Sequence, residues 1–148
     1  MKARLATEKD LPSMFSFLDG YTEESLGIYG VIDKERIKQF VTAIIKFEAS
    51  YVMEEDDAIV GAMVGSISPC MFTCDTMFHS MFFYIVPSFR SKAKVFVDQI
   101  EELLKLKPEK ITKMIIGNPA FNNFNKLDKF YRLLEFELLE SHYFKEIN

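Results

Sequence analysis

Residues 79–95 constrain this chain more than any other stretch. They run His79-Ser80-Met81-Phe82-Phe83-Tyr84-Ile85-Val86-Pro87-Ser88-Phe89-Arg90-Ser91-Lys92-Ala93-Lys94-Val95. The apolar, aromatic first half predicts a buried strand. Pro87 stops it, because proline cannot donate to a ladder and biases its predecessor towards extended geometry. A short basic turn follows over 88–94. A helix then begins, with Val95, Phe96, Ile100, Leu103 and Leu104 spaced as one buried face. Strand, turn and helix N-terminus together suit an anion, since unsatisfied N–H groups and the helix dipole both favour negative charge there. Arg90, Lys92 and Lys94 add cationic charge at the same place. The plainer alternative is a buried strand turning into a surface helix.

This stretch resembles the cofactor motif of the Gcn5-related N-acetyltransferases, the GNAT superfamily. There a strand ends Val-x-Pro, continues Arg-Gly-x-Gly-x-Gly or Ala, and enters a helix. Ile85-Val86-Pro87-Ser88-Phe89-Arg90 matches its opening, while the family's glycines are Ser91, Ala93 and Val95 here. Glycine permits close backbone approach and positive φ, so those replacements bear on how the loop meets a pyrophosphate.

A length of 148 residues suits one domain, 1–148, with a substantial core. With 15 phenylalanines and no tryptophan, that core is expected to be aromatic. The net charge of −4 argues against a general nucleic-acid binder. No apolar run approaches the roughly 18–20 residues of a membrane helix, so no membrane partner is expected. Lys2, Arg4, Glu8, Lys9 and Asp10 interrupt any signal-peptide core. Cys70 and Cys74 do not suggest a disulfide scaffold, and the expected setting is reducing and cytoplasmic. The same pair lacks the further ligands of a zinc site, so no metal is expected.

In chain order, residues 2–7 predict an edge strand. Thr7 or Asp10 caps a helix with Leu11, Met14, Phe15 and Leu18 on one face, ended near Leu18 by Asp19-Gly20. Residues 21–32 read as a loop or short helix. Asp33 caps a second helix with Ile37, Phe40, Val41, Ile44 and Ile45 as its stripe. Strands over 51–53 and 58–67 flank the charged turn 54–57, with Gly61 and Gly65 marking a bulge or close approach. An irregular segment over 68–77 precedes the central strand. Residues 111–116 predict another strand, and Phe124, Leu127, Tyr131 and Leu134 line a last helix with Phe130 adjoining. A final strand is expected over 136–147.

The resulting order, β-α-α-β-β-β-α-β-α-β, is that of a GNAT domain. Phe130-Tyr131-Arg132-Leu133-Leu134-Glu135-Phe136 resembles the family's aromatic-Tyr-x-x-x-Gly-Phe phrase, with Glu135 in the glycine's place. The resemblance implies an α/β (α+β) fold: a mixed, mostly antiparallel sheet with splayed central parallel strands and helices on both faces. It implies acetyl-coenzyme A as acyl donor, its pantetheine amides pairing with backbone of Phe83, Tyr84 and Ile85 like an added strand. Its pyrophosphate would sit on the amides of Arg90, Ser91, Lys92, Ala93, Lys94 and Val95, with Asn123 near the helix-opening asparagine of the family. The implied chemistry is direct attack of a primary amine on the thioester. Tyr131 matches the tyrosine that protonates the leaving thiolate, a phenol's pKa lying near a thiol's; the competing reading is a core tyrosine.

His79 is the first candidate base, placed by simple alternation on the face of Met81, Phe83 and Ile85; the competing reading is a structural histidine. His142, Glu23, Glu24 and Asp75 are the other candidates. Expected partners are acetyl-coenzyme A and an amine acceptor, with homodimerisation as an option. The alternative function is a non-catalytic GNAT-like structural or interaction module.

Overall fold

The computed structural model describes residues 1–26, 33–47, 49–71, 73–117 and 124–139. Among the described residues, five strands form one sheet in sequence order: β1 (Lys2–Leu5), β2 (Ser50–Glu55), β3 (Ala58–Pro69), β4 (Thr76–Ile85) and β5 (Ile111–Ile116). Neighbours from β1 to β4 are antiparallel, and β4–β5 is parallel. Helix α1 (Leu11–Tyr21) and helix α2 (Lys34–Ile45) cover one face. Helix α3 (Ala93–Lys105) and helix α4 (Phe124–Leu133) pack on the other. The mixed, mostly antiparallel sheet with helices on both faces is the architecture expected from sequence. Of the final strand, residues 140–147 lie outside the described residues, and 136–139 carry no strand pairing.

The β2–β3 hairpin turns on Asp56 and Asp57, whose φ values of 48° and 63° match the twist of a tight two-residue turn. Its inner faces feed two cores. Tyr51, Met53 and Met63, with Phe78 of β4, meet Phe96 and Ile100 of α3, while Val52, Ala62 and Val64 meet Phe17 and Leu18 of α1. Burying a side chain such as Phe96, with none of its surface exposed, contributes about 2–3 kcal/mol. The stripe of α3 differs by one position from expectation. Val97 is buried and Val95 is 41% exposed, because the helix begins at Ala93 and turns Val95 outward.

A 3-10 turn, Glu8–Asp10, leads into helix α1 and is fixed through Asp10. Asp10 accepts from the Thr7 N–H (2.7 Å) and hydroxyl (2.9 Å), and Arg4 of β1 holds the same carboxylate through two bonds of 2.8 and 2.9 Å. Arg4 also reaches Glu54 of β2. With Arg4 donating to it first and burial opposing, the Asp10 carboxyl is held down at about 2. The helix does not stop at Leu18 but continues through Gly20 to Tyr21. Glycine is used there for closeness: a Cβ would lie 2.9 Å from the carbon bearing Tyr84's hydroxyl. A single π-helical turn, Thr22–Leu26, extends it.

At the sheet's other margin, the Ala3 N–H donates to the side-chain oxygen of Gln99 on α3 at 2.6 Å.

Candidate active site

The β4–β5 ladder runs from Thr76↔Ile111 to Ser80↔Ile116 and ends there, so residues 81–85 of β4 have no strand partner on that side among the described residues. The parting has a local cause. On the β3 side Val64 faces Phe82 while the next residue, Gly65, faces Ser80, which leaves Met81 as a bulge. A bulge bends its strand and sharpens the twist. Gly65 makes it fit, since a Cβ there would stand 2.5 Å from the His79 carbonyl oxygen and from Phe78's ring. The expected splay is present, and Gly65 marks the close approach anticipated for it.

The bulge corrects the phase of the strand. Phe78 lies in the α3-side core, and so do Phe83 and Ile85, although simple alternation would separate Phe78 from them. His79, beside Ser66 and one residue from Phe78, therefore faces the α1 side, opposite to Phe83 and Ile85, and is exposed. Its expected place among Met81, Phe83 and Ile85 is lost to that one inserted residue.

Backbone direction along the free half follows from one bond. The Val86 N–H donates to the Val60 carbonyl of β3 at 3.0 Å. Alternation turns Tyr84's amide and carbonyl towards β3 as well, and those of Phe83 and Ile85 towards the gap. Tyr84's carbonyl accordingly lies 3.2 Å from where a Gly61 side chain would begin. The backbone groups of Phe83 and Ile85 thus face the gap, and those of Tyr84 face β3. Tyr84 instead sends its ring to Phe17, with centroids 5.7 Å apart.

Beyond Val86 the chain winds into a 3-10 coil, Pro87–Lys92, that runs directly into α3. None of residues 88–95 has positive φ. Lacking the family's glycines, the bend coils right-handed rather than opening. The Phe89 N–H donates to Val86 at 2.9 Å, and the Ala93 N–H donates to Arg90. Ala93 is buried and its amide engaged, which corrects its place among the phosphate-facing donors.

Arg90 is held on three sides. Its Nε donates to the Ile85 carbonyl (3.2 Å), its Nη2 to both carboxylate oxygens of Glu24 (2.6 and 2.7 Å), and its guanidinium carbon sits 5.7 Å from Tyr84's ring centre. Lys94 donates to both oxygens of Asp98 at 3.0 Å. Ser91 and Lys92 are exposed, and Lys92 has no ion-pair partner among the described residues.

Tyr131 stands on α4 between Phe130 (5.4 Å) and Phe136 (5.9 Å). Burial, and then the phenol of Tyr21, push its hydroxyl up to about 12. Tyr21 packs on Phe82 at 4.5 Å, on the α1 face, whereas Phe130 and Phe136 belong to the α3 face. Two phenols rooted on opposite faces influence each other where the sheet is open. Tyr21 was missed in the sequence, although it continues the Phe17–Leu18 face past Gly20.

Of the other candidates, Asp75 sits just before β4, at the paired end. Lys113 (2.5 Å), Thr73 (2.7 Å) and Thr112 (3.0 Å) surround it and hold its carboxyl at about 2, so it is a fixed anion and not a base. Glu23 is exposed. Asn123 and His142 lie outside the described residues.

No protein-family model matches the sequence. No curated protein matches it either. Solved structures do. A possible acetyltransferase from Clostridium difficile 630 aligns with a TM-score of 0.75 at 18% identity, covering 99% of this chain and 97% of that one. The chain has the GNAT fold. A ribosomal-protein-alanine N-acetyltransferase from Brucella melitensis biovar Abortus 2308 aligns at 0.72 and 15%, over 99% of this chain and 100% of that one. An aminoglycoside antibiotic 6'-N-acetyltransferase from Acinetobacter haemolyticus aligns at 0.70 and 16% over the whole of both. The free edge, the bulge and the coil thus sit within a GNAT scaffold that spans the chain.

Proposed function

We propose that this protein transfers an acetyl group from acetyl-coenzyme A to a primary amine. One observation carries the reading: among the described residues β4 runs past its last pair with β5, leaving the amide and carbonyl of Phe83 and the amide of Ile85 turned to a gap, with the Ile85 carbonyl taken by Arg90. Such an edge suits the two amides of a pantetheine arm. Arg90 and Lys92, at the head of the gap, suit its phosphates.

In this reading the amine attacks the thioester carbonyl near Met81, where the strands part. The amine nitrogen bonds to the acyl carbon and loses its proton to solvent, and the carbon–sulfur bond breaks with its electrons on sulfur, which takes up a proton from solvent. Tyr131 keeps its proton throughout the physiological range and donates a hydrogen bond to the developing thiolate. Burial, by holding the phenol's proton, disfavours its full transfer to the thiolate. The phenol therefore acts chiefly by stabilising charge. Sequence suggested a better match to a thiol; burial moves the phenol away from it.

A second reading, a GNAT-like module without catalysis, draws support from the bend, where Arg90 is paired with Glu24 and Ala93's amide is engaged. Calorimetric titration with acetyl-coenzyme A separates the two, followed by thiol-release assays against amine antibiotics and peptide N-termini. Saturable binding and acceptor-dependent thiol release support transfer. No binding up to millimolar concentration favours the module.

A further inference from the structure

The basic bend is already neutralised from within. Two of its three cations, Arg90 and Lys94, face carboxylates of Glu24 and Asp98. The two pairs differ in kind. Lys94–Asp98 is an exposed pair one helical turn apart, a contact of little consequence. Glu24 instead comes from the π-helical turn after α1, far away in sequence, and places both oxygens on one nitrogen of Arg90. Such single-turn π irregularities are frequent at functional sites. The Ile85 carbonyl and Tyr84's ring hold the guanidinium in place independently of Glu24. Arg90 would thus keep its position if Glu24 left.

We infer that Glu24 competes within the molecule for Arg90, so that an anionic cofactor must displace its carboxylate to occupy the head of the cleft. The inference rests on the cofactor reading above. Electrostatics favours the exchange: a pyrophosphate brings more negative charge than one carboxylate and also draws on Lys92. Glu24, once displaced, carries like charge beside the phosphates and opposes binding. Glu24 therefore acts as a guard and not as a support for Arg90.

The two roles predict opposite outcomes when Glu24→Gln, Asp98→Asn and wild type are titrated with coenzyme A by calorimetry at one low ionic strength. As a guard, Glu24→Gln binds coenzyme A about fivefold tighter. Asp98→Asn changes affinity by less than about twofold. In an Arg90→Gln background, Glu24→Gln loses its effect, because the contested group is gone. Glu24→Gln binding no tighter than a wild type that does bind overturns the guard and leaves the cofactor reading intact. A gain that persists without Arg90 overturns it too, reducing Glu24 to general repulsion. Failure of wild type and all variants to bind at millimolar coenzyme A overturns the cofactor reading and the guard with it. Both Glu24 and Arg90 are about half exposed, so unchanged melting temperatures confirm intact folding.

Discussion

Residues 76–80 of β4 are paired with strands on both sides, whereas residues 82–85 pair, among the described residues, with β3 alone. The paired half is clamped at its start by Asp75, which Lys113 and Thr112 of β5 hold. The free half ends on Arg90, whose Nε covers the Ile85 carbonyl. One inserted residue, Met81, separates a stretch that serves stability from one with backbone groups to offer.

That division can be broken from either side. The largest expected effect belongs to the open side: Tyr131→Phe should lower kcat about a hundredfold, about 2.7 kcal/mol. Coenzyme A affinity should stay within about twofold, since the ring remains. Equal losses in both would make Tyr131 a packing residue. Next comes the boundary itself. Gly65→Ala forces a methyl against the His79 carbonyl and should cost about 2 kcal/mol in denaturant unfolding; a neutral result would deny that the bulge depends on that contact. Glu135→Gly should stabilise by about 1 kcal/mol, because Glu135 holds φ at 63° where the Phe136 N–H bonds back to Tyr131. The same change sharpens the comparison if turnover stays unchanged. The smallest effect belongs to the clamp. Asp75 has a depressed carboxyl, so its contribution is present above the unfolded value near ~3.9 and fades as pH falls towards 2. Asp75→Asn should lower the melting temperature slightly at pH 7 and not at pH 2.

Local chemistry made much of this legible. Strand 111–116, the charged hairpin tip, the Asp33 cap and the stop at Pro87 all follow from short-range rules, and the structure has each of them. The order of elements then points to the splayed sheet. Three features escaped because their causes are distant. Helix α1 passes Gly20 since Tyr84's phenol occupies the space a side chain would need. His79 changes face through a bulge set by Gly65 on the neighbouring strand. Arg90 meets Glu24 across the fold, with no periodicity to announce it. The missing glycines were visible, but their result, a right-handed coil that engages its own amides, needed three dimensions.

The bond from Gln99 to Ala3 reaches further than its size suggests. An outer strand with a bare amide invites a second chain to lie alongside and continue the ladder. Here α3 supplies the missing acceptor from its own flank, and β1 is only Lys2–Leu5 long. That bond occupies the Ala3 amide, so a second chain laid along β1 would find no donor at that position.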